Sequence, residues 1–359
     1  MPQQTADIPA YVQATLATAV AERASDVHVE PQAGECEIRF RVDGLLRPHA
    51  VLPSDVGASV VTRLMVMAQL LTYRRDVPQE GRAAIALDMS AMINIRVSIM
   101  PTTHGLRAAV RLPAELTQPC SLDTLQLSLP AETLIERFVT ADSGLLMIVG
   151  PAGAGKTTTA YAILEAIRNR QPGISIVSLE DPVERDLPGI TQVQVEPFGQ
   201  LTYSTALRSL LRQDPQVLML GEIRDAETAS IAIQAALSGH RLVCTLHSAD
   251  AAQAVARLLE MRVEPYQISS SLFGAIGQRL LRRPVGAGYR GRVPVCEAVA
   301  FDDALRRLIA DRASAAELRS AYTTHTAFQP LEQAAIELVA QGVTDEAEIA
   351  RVLGGHPQP

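Results

Sequence analysis

Tryptophan is absent from this 359-residue chain, and aromatic residues make up only 4% of it. A chain so poor in aromatics offers no stacking platform for single-stranded nucleic acid. Cysteine occurs four times, at Cys36, Cys120, Cys244 and Cys296, and never as a close pair. That spacing excludes a Cys-x-x-Cys zinc or redox site and a secreted disulfide framework. No apolar run approaches the ~20 residues that span a bilayer. The start, Met1-Pro2-Gln3-Gln4, lacks the basic region and apolar stretch of a signal peptide. A soluble protein of a reducing compartment is expected. Basic charge is also short, with 32 basic against 39 acidic residues and a net charge of −7. Sequence-independent nucleic-acid binding needs a basic footprint, which an acidic chain does not supply. Among the basic residues lysine is the scarce one: 31 of the 32 are arginine, and the one lysine is Lys156. A GC-rich genome would account for the arginine bias but not for the position of the lysine that remains.

What is there divides into two patterns. An amphipathic helix over 8–23 is followed by alternating runs at 26–29 and 36–42, and Asp43-Gly44 marks a hairpin turn. A helix over 54–71 and strands over 83–87, 92–99 and 107–112 complete an α+β domain, residues 1–112. Residues 113–128, with Pro113, Pro119 and Ser121 and no clear period, read as a linker. Residues 129–300 then alternate helices with apolar strands at 145–149, 174–177, 217–220 and 242–246. That is an α/β domain with a largely parallel sheet. Residues 301–359 are helical, over 302–311, 314–322, 329–341 and 345–353.

Gly150-Pro151-Ala152-Gly153-Ala154-Gly155-Lys156-Thr157 fits G-x-x-x-x-G-K-[ST], with a buried strand before it and a helix over 156–169 after it. Glycines let backbone N–H groups converge on phosphate oxygens, and the helix N-terminus adds partial positive charge. Thr157 is positioned to ligate Mg²⁺ and Thr158 to join the phosphate site. Lys156 meets the β- and γ-phosphates as a compact point charge, which a longer, forked guanidinium replaces poorly. Phosphoryl transfer also needs acids at neighbouring strand ends. Glu222, closing the run 217–221, is the metal-side candidate. Glu180, Asp181 and Glu184 follow a second apolar strand, where sequence alone leaves them as either site groups or solvated loop charges. His247, after 242–246, is a third strand-edge residue, and a lone histidine is more often structural than functional.

Together these blocks resemble the secretion-superfamily ATPases of type II secretion and type IV pilus assembly, the GspE/PilB/PilT group. The likeness covers roughly residues 15–345. Residues 178–184 (SLEDPVE) look like its Asp box, 212–225 its Walker B block and 239–250 its His box. Residues 24–31, 39–44 and 78–82 are similar to its PAS-like second N-domain. Residues 279–283 and 288–292 match its C-terminal signatures. The resemblance implies a RecA-like P-loop NTPase domain with an N-terminal α+β PAS-like domain and a C-terminal helical subdomain. It implies ATP and Mg²⁺ as cofactors, Glu180 as the catalytic acid that polarises water, and Glu222 on the metal and its water. It also implies His247 as a γ-phosphate sensor, and Arg82 and Arg96 as arginine fingers that supply charge as domains close.

As partners it implies further copies of the chain in a homohexamer and an inner-membrane platform protein of the GspF/PilC type. It places the protein in the cytoplasm, peripheral to the inner membrane, without sequence-specific nucleic-acid contact. Two departures stand out. Residues 283–288 bridge the C-terminal signatures without the four-cysteine insertion common in secretion and extension members, so no zinc is expected. The chain also starts almost at the second N-domain, which leaves recruitment open. The short, zinc-free form is similar to competence-pilus ATPases. A retraction motor, or a nucleotide-binding regulator with negligible turnover, is the alternative.

Overall fold

The computed structural model describes residues 7–86, 92–113, 121–196, 199–286, 288–325 and 328–354. Leu87, Cys120, Ala287 and the 114–120 stretch of the expected linker lie outside the described residues. The chain divides into two compact units, Met1–Gln118 and Pro119–Pro359.

The first unit runs α1 (Ile8–Ala21), β1 (Ala24–Pro31), β2 (Glu35–Val42), β3 (Leu45–Pro53), α2 (Ser54–Met67), β4 (Gln79–Ala86), β5 (Met92–Thr102) and β6 (Gly105–Arg111). Its strands form one antiparallel sheet in the order β3-β2-β1-β6-β5-β4. Period-2 side-chain alternation drives this arrangement. Cys36, Ile38, Phe40 and Val42 of β2 are buried on one face with Val12 and Leu16 of α1 and Val61 and Leu64 of α2. The β2–β3 turn has Asp43 at φ 50° and Gly44 at φ 86°, the double positive φ of a type I′ hairpin. The other face is charged. Arg41 and Arg111 flank Asp26 at 3.5 and 3.2 Å, while Arg39 and Arg107 flank Glu30, Arg107 at 2.9 Å.

The second unit opens with α3 (Leu122–Leu125) and α4 (Leu129–Val139). Leu125 and Leu127, inside the expected linker range, are buried in this unit's core. Then follow β7 (Gly144–Val149), α5 (Lys156–Arg170), β8 (Ile176–Glu180), β9 (Thr191–Gln194), α6 (Tyr203–Leu210), β10 (Val217–Leu220), α7 (Ala226–Leu237) and β11 (Arg241–Leu246). Next come α8 (Ala251–Glu260), α9 (Pro265–Ser271), β12 (Leu272–Val285) and β13 (Gly288–Ala300). Helices α10 (Asp303–Ala310), α11 (Ala315–Thr323), α12 (Leu331–Ala340) and α13 (Glu346–Leu353) finish the chain.

The sheet order is β13-β12-β7-β11-β10-β8-β9, parallel throughout except for the antiparallel β12–β13 pair. Every residue of β7, β8, β10 and β11 is buried, as strands covered on both faces must be. Periodicity gave no sign of β12, because glycines and arginines interrupt its apolar pattern. Both central glycines are places of close approach. A Cβ on Gly274 would lie 2.8 Å from Leu134 Cδ1, and one on Gly277 would lie 2.7 Å from Glu297 Cγ. The parallel strands β7, β11, β10 and β8 all end on the same edge, and that edge carries the motifs.

Candidate phosphate and carboxylate site

Strand β7 delivers the glycine loop to the start of α5. Gly150, Gly153 and Gly155 have φ of 157°, 74° and 83°, and at Gly153 and Gly155 this is a left-handed conformation that costs L side chains energy. Gly150 is fixed by contact as well: a Cβ there would lie 2.5 Å from the Gln278 carbonyl oxygen. Pro151 and Ala152 form the exposed tip of the loop, Ala154 is buried, and Thr157 and Thr158 sit half-buried in the first turn of α5. Lys156 is buried and donates from Nζ to the carbonyls of Gly150 and Pro151, both at 2.9 Å. Burial pushes its ammonium down to about 8, with Arg279 acting in the same direction and Glu222 and Glu184 opposing.

From Lys156 a chain of polar contacts crosses the strand ends. His247 Nδ1, just past β11, lies 3.4 Å from Lys156 Nζ, and its Nε2 lies 3.6 Å from Glu222 Oε1. Burial and the adjacent Lys156 charge lower the imidazole's proton affinity, and Glu222 partly offsets them. An ammonium can only donate, so this contact suits a ring whose Nδ1 accepts and whose proton lies at Nε2, toward Glu222. Arg224 holds the other oxygen of Glu222, Nε to Oε2 at 2.8 Å, and reaches Asp181 Oδ2 at 3.1 Å. Arg224 thereby bridges the acids that follow β8 and β10.

Glu180 has a different setting. It ends β8, is 2% exposed, and its carboxylate accepts from three side chains: Ser178 at 2.5 Å, Gln192 at 3.0 Å and Tyr161. Burial and the neighbouring Glu180 charge raise the Tyr161 phenol far above its usual range, so it stays a donor. Two other acids of the motif blocks serve the backbone instead. Asp225 caps α7 through the Thr228 amide at 2.8 Å, and Asp250 caps α8 through the Gln253 amide at 2.8 Å.

The second unit thus brings together Lys156, His247 and Glu222, with Glu180 behind them at the same sheet edge. Arg82 and Arg96 belong to the first unit. They sit opposite each other on β4 and β5, and Arg96 is opposite Arg111 on β6. Pattern reasoning passed over Arg224, Tyr161 and Gln192 as individual site residues. Arg224 lay within the block 212–225, whereas Tyr161 and Gln192 carry no local signal.

The residues fit a magnesium nucleotide. The glycine cradle leaves no room for Cβ atoms at Gly150, the lysine charge lies at its mouth, and Thr157 and Glu222 supply oxygen donors of the type Mg²⁺ prefers.

Comparison with known proteins is consistent with this chemistry. A family model described as type II/IV secretion system protein matches residues 2–351. The chain is 38% identical to the type II secretion system protein HxcR of Pseudomonas aeruginosa, over 98% of this chain and 78% of that protein. It is 35% identical to the type II secretion system ATPase E of Vibrio cholerae, over 98% and 76%. Among solved structures it is similar to the pilus retraction motor PilT with bound ADP, at 26% identity and a TM-score of 0.68, covering 97% of each chain.

Proposed function

The chain belongs to the type II/IV secretion system protein family, an ATPase family with a RecA-like core, and from that membership we propose a cytoplasmic motor that hydrolyses Mg-ATP. The motor powers type II secretion or the assembly of a pilus-like fibre. The observation that carries this reading is the continuous path from the glycine cradle through Lys156 and His247 to Glu222. Mg-ATP supplies the transferable phosphoryl group when bound. The loop amides and Lys156 bind its phosphates. Thr157 and Glu222 hold the metal, and Arg224 fixes the Glu222 carboxylate in place. His247 reports on the charge between Lys156 and Glu222. Glu180, held at the strand edge by its three donors, is the water-polarising acid in this reading. Arg82 and Arg96 act as arginine fingers from the N-terminal domain.

In this reading residues 1–112 are the PAS-like domain, 113–128 the linker, 129–300 the ATPase core and 301–359 the helical subdomain. The working form is a homohexamer at the cytoplasmic face of the inner membrane, bearing on a platform protein. Among the described residues no helix is long and apolar enough to cross a membrane. Glu222→Gln tests the site directly. It is expected to retain Mg-ATP binding within a few-fold and to lose turnover by 10²-fold or more, about the scale of a general-base or metal-ligand deletion. Full turnover in that variant removes Glu222 from the mechanism.

A further inference from the structure

We infer that Gln278 is a positioning residue for the phosphate loop, an inference that rests on the nucleotide reading above. Gln278 lies on β12, on the far side of the loop from the carboxylates, and is 1% exposed. Its side-chain amide reaches both the loop and the helix, and Oε1 also faces the Cys296 thiol of β13 at 3.8 Å. Nε2 donates to the Ala154 carbonyl at 2.7 Å, and Oε1 accepts from the Thr159 hydroxyl at 2.8 Å. The backbone carbonyl of the same residue sets the closest approach at Gly150, and Nε2 does the same at Gly155, where a Cβ would lie 3.0 Å from it. One residue therefore touches both ends of the glycine loop and the second turn of α5.

Peptide geometry gives this contact a consequence. In a trans peptide the C=O and the following N–H point in opposite directions across one rigid plane. Fixing the Ala154 carbonyl toward β12 fixes the Gly155 N–H away from β12. Gly155 is in the left-handed region, at φ 83°, and has no side chain to hold that plane by itself. A phosphate loop works by presenting N–H groups inward and keeping carbonyls out of the anion's reach. The Gln278 amide does the second for Ala154 and thereby the first for Gly155. The Ala154 carbonyl fixes the amide's orientation, since it can only accept and so requires Nε2 on the loop side; Oε1 is then left on the helix side, where the Thr159 hydroxyl donates to it.

The test uses the full chain and three variants, with Mg-ATP affinity measured by calorimetry and folding followed by circular dichroism and thermal melting. Gln278→Leu fills the same volume without either hydrogen bond. It is expected to weaken Mg-ATP binding about tenfold, the effect of losing one well-formed hydrogen bond at the loop. Gln278→Glu keeps the acceptor for Thr159 but turns a carboxylate oxygen on the Ala154 carbonyl. Its affinity ratio to wild type is expected to be worst at pH 8 and to recover toward pH 6, where the protonated carboxyl again donates. A merely structural role moves melting temperature without that pH-dependent ratio.

Folded Gln278→Leu with wild-type affinity overturns the inference, and so does a ratio for Gln278→Glu that does not change with pH. If the leucine variant does not fold, the glutamate ratio decides alone. Lys156→Ala separates the two levels of argument. Loss of binding in Lys156→Ala with none in the Gln278 variants leaves the nucleotide reading standing and removes Gln278. A wild-type chain that binds no Mg-ATP removes both.

Discussion

The two sheets handle charge in opposite ways. In the first unit each strand shows one face to its helices and one to charged neighbours, so Asp26 and Glu30 each lie between two arginines across adjacent strands. In the second unit the central strands are buried on both faces, and ionisable groups are pushed to strand ends or into enclosed pairs. A parallel sheet covered by helices has no lateral surface on which to place charge, so chemistry collects at its carboxyl edge. A row of cross-strand ion pairs stabilises little. A charge enclosed beside β12 or β13 must be matched or neutralised.

The comparison is broken most readily where enclosure is greatest. Glu348, 1% exposed, receives Arg282 Nε at 2.9 Å, the Arg282 backbone amide at 3.0 Å and Arg351 Nε at 2.8 Å. Glu348→Ala leaves the Arg282 guanidinium buried without its partner and is expected to destabilise the second unit by about 3–5 kcal/mol. A urea unfolding midpoint close to wild type would erase the contrast between the sheets.

Glu297, on β13, is buried with Oε1 unpartnered, and Arg279, Glu332 and Tyr322 are the ionisable groups around it. Burial raises its carboxyl to about 7, with Glu332 adding to the effect. Between its ordinary value near 4.5 and 7 the native state keeps a proton that the unfolded chain has released. Its contribution to stability therefore falls as pH rises through that window, by about 3 kcal/mol in all. Glu297→Gln is expected to remove that slope and to gain most against wild type at pH 8. Denaturation at pH 5 and pH 8 checks it, and an unchanged slope sinks it.

The smallest effect belongs to the first sheet. Asp26→Asn weakens pairs whose arginines are one-third to three-quarters exposed, and about 0–1 kcal/mol is expected by the same unfolding measurement. A loss as large as that from Glu348→Ala would show that the two faces do not differ in kind.

Much of this was legible in the sequence, for reasons that differ by element. The hairpin at Asp43-Gly44 and the alternating strands of the first sheet were readable because an exposed face imposes period 2. The phosphate loop was readable because glycine spacing and the lone lysine leave few alternatives. Strand β12 was not readable, since Gly274 and Gly277 answer to Leu134 and Glu297, residues distant in the chain. Short β9 was missed as well. Its Gln192 supports Glu180 and gives no local pattern.

By itself the sequence determined the alternating strands of the first unit, the apolar strands β7, β8, β10 and β11, the anion-binding loop and the family, because each depends on local periodicity or contiguous motifs. Tertiary structure alone decided which acids meet partners from other strands and helices at the site. It set Arg224 on Asp181, Tyr161 on Glu180, and Gln278 against Ala154, 124 positions away. Hydrogen bonds need partners within about 3 Å, and only the folded sheet brings groups so far apart in the chain to that distance.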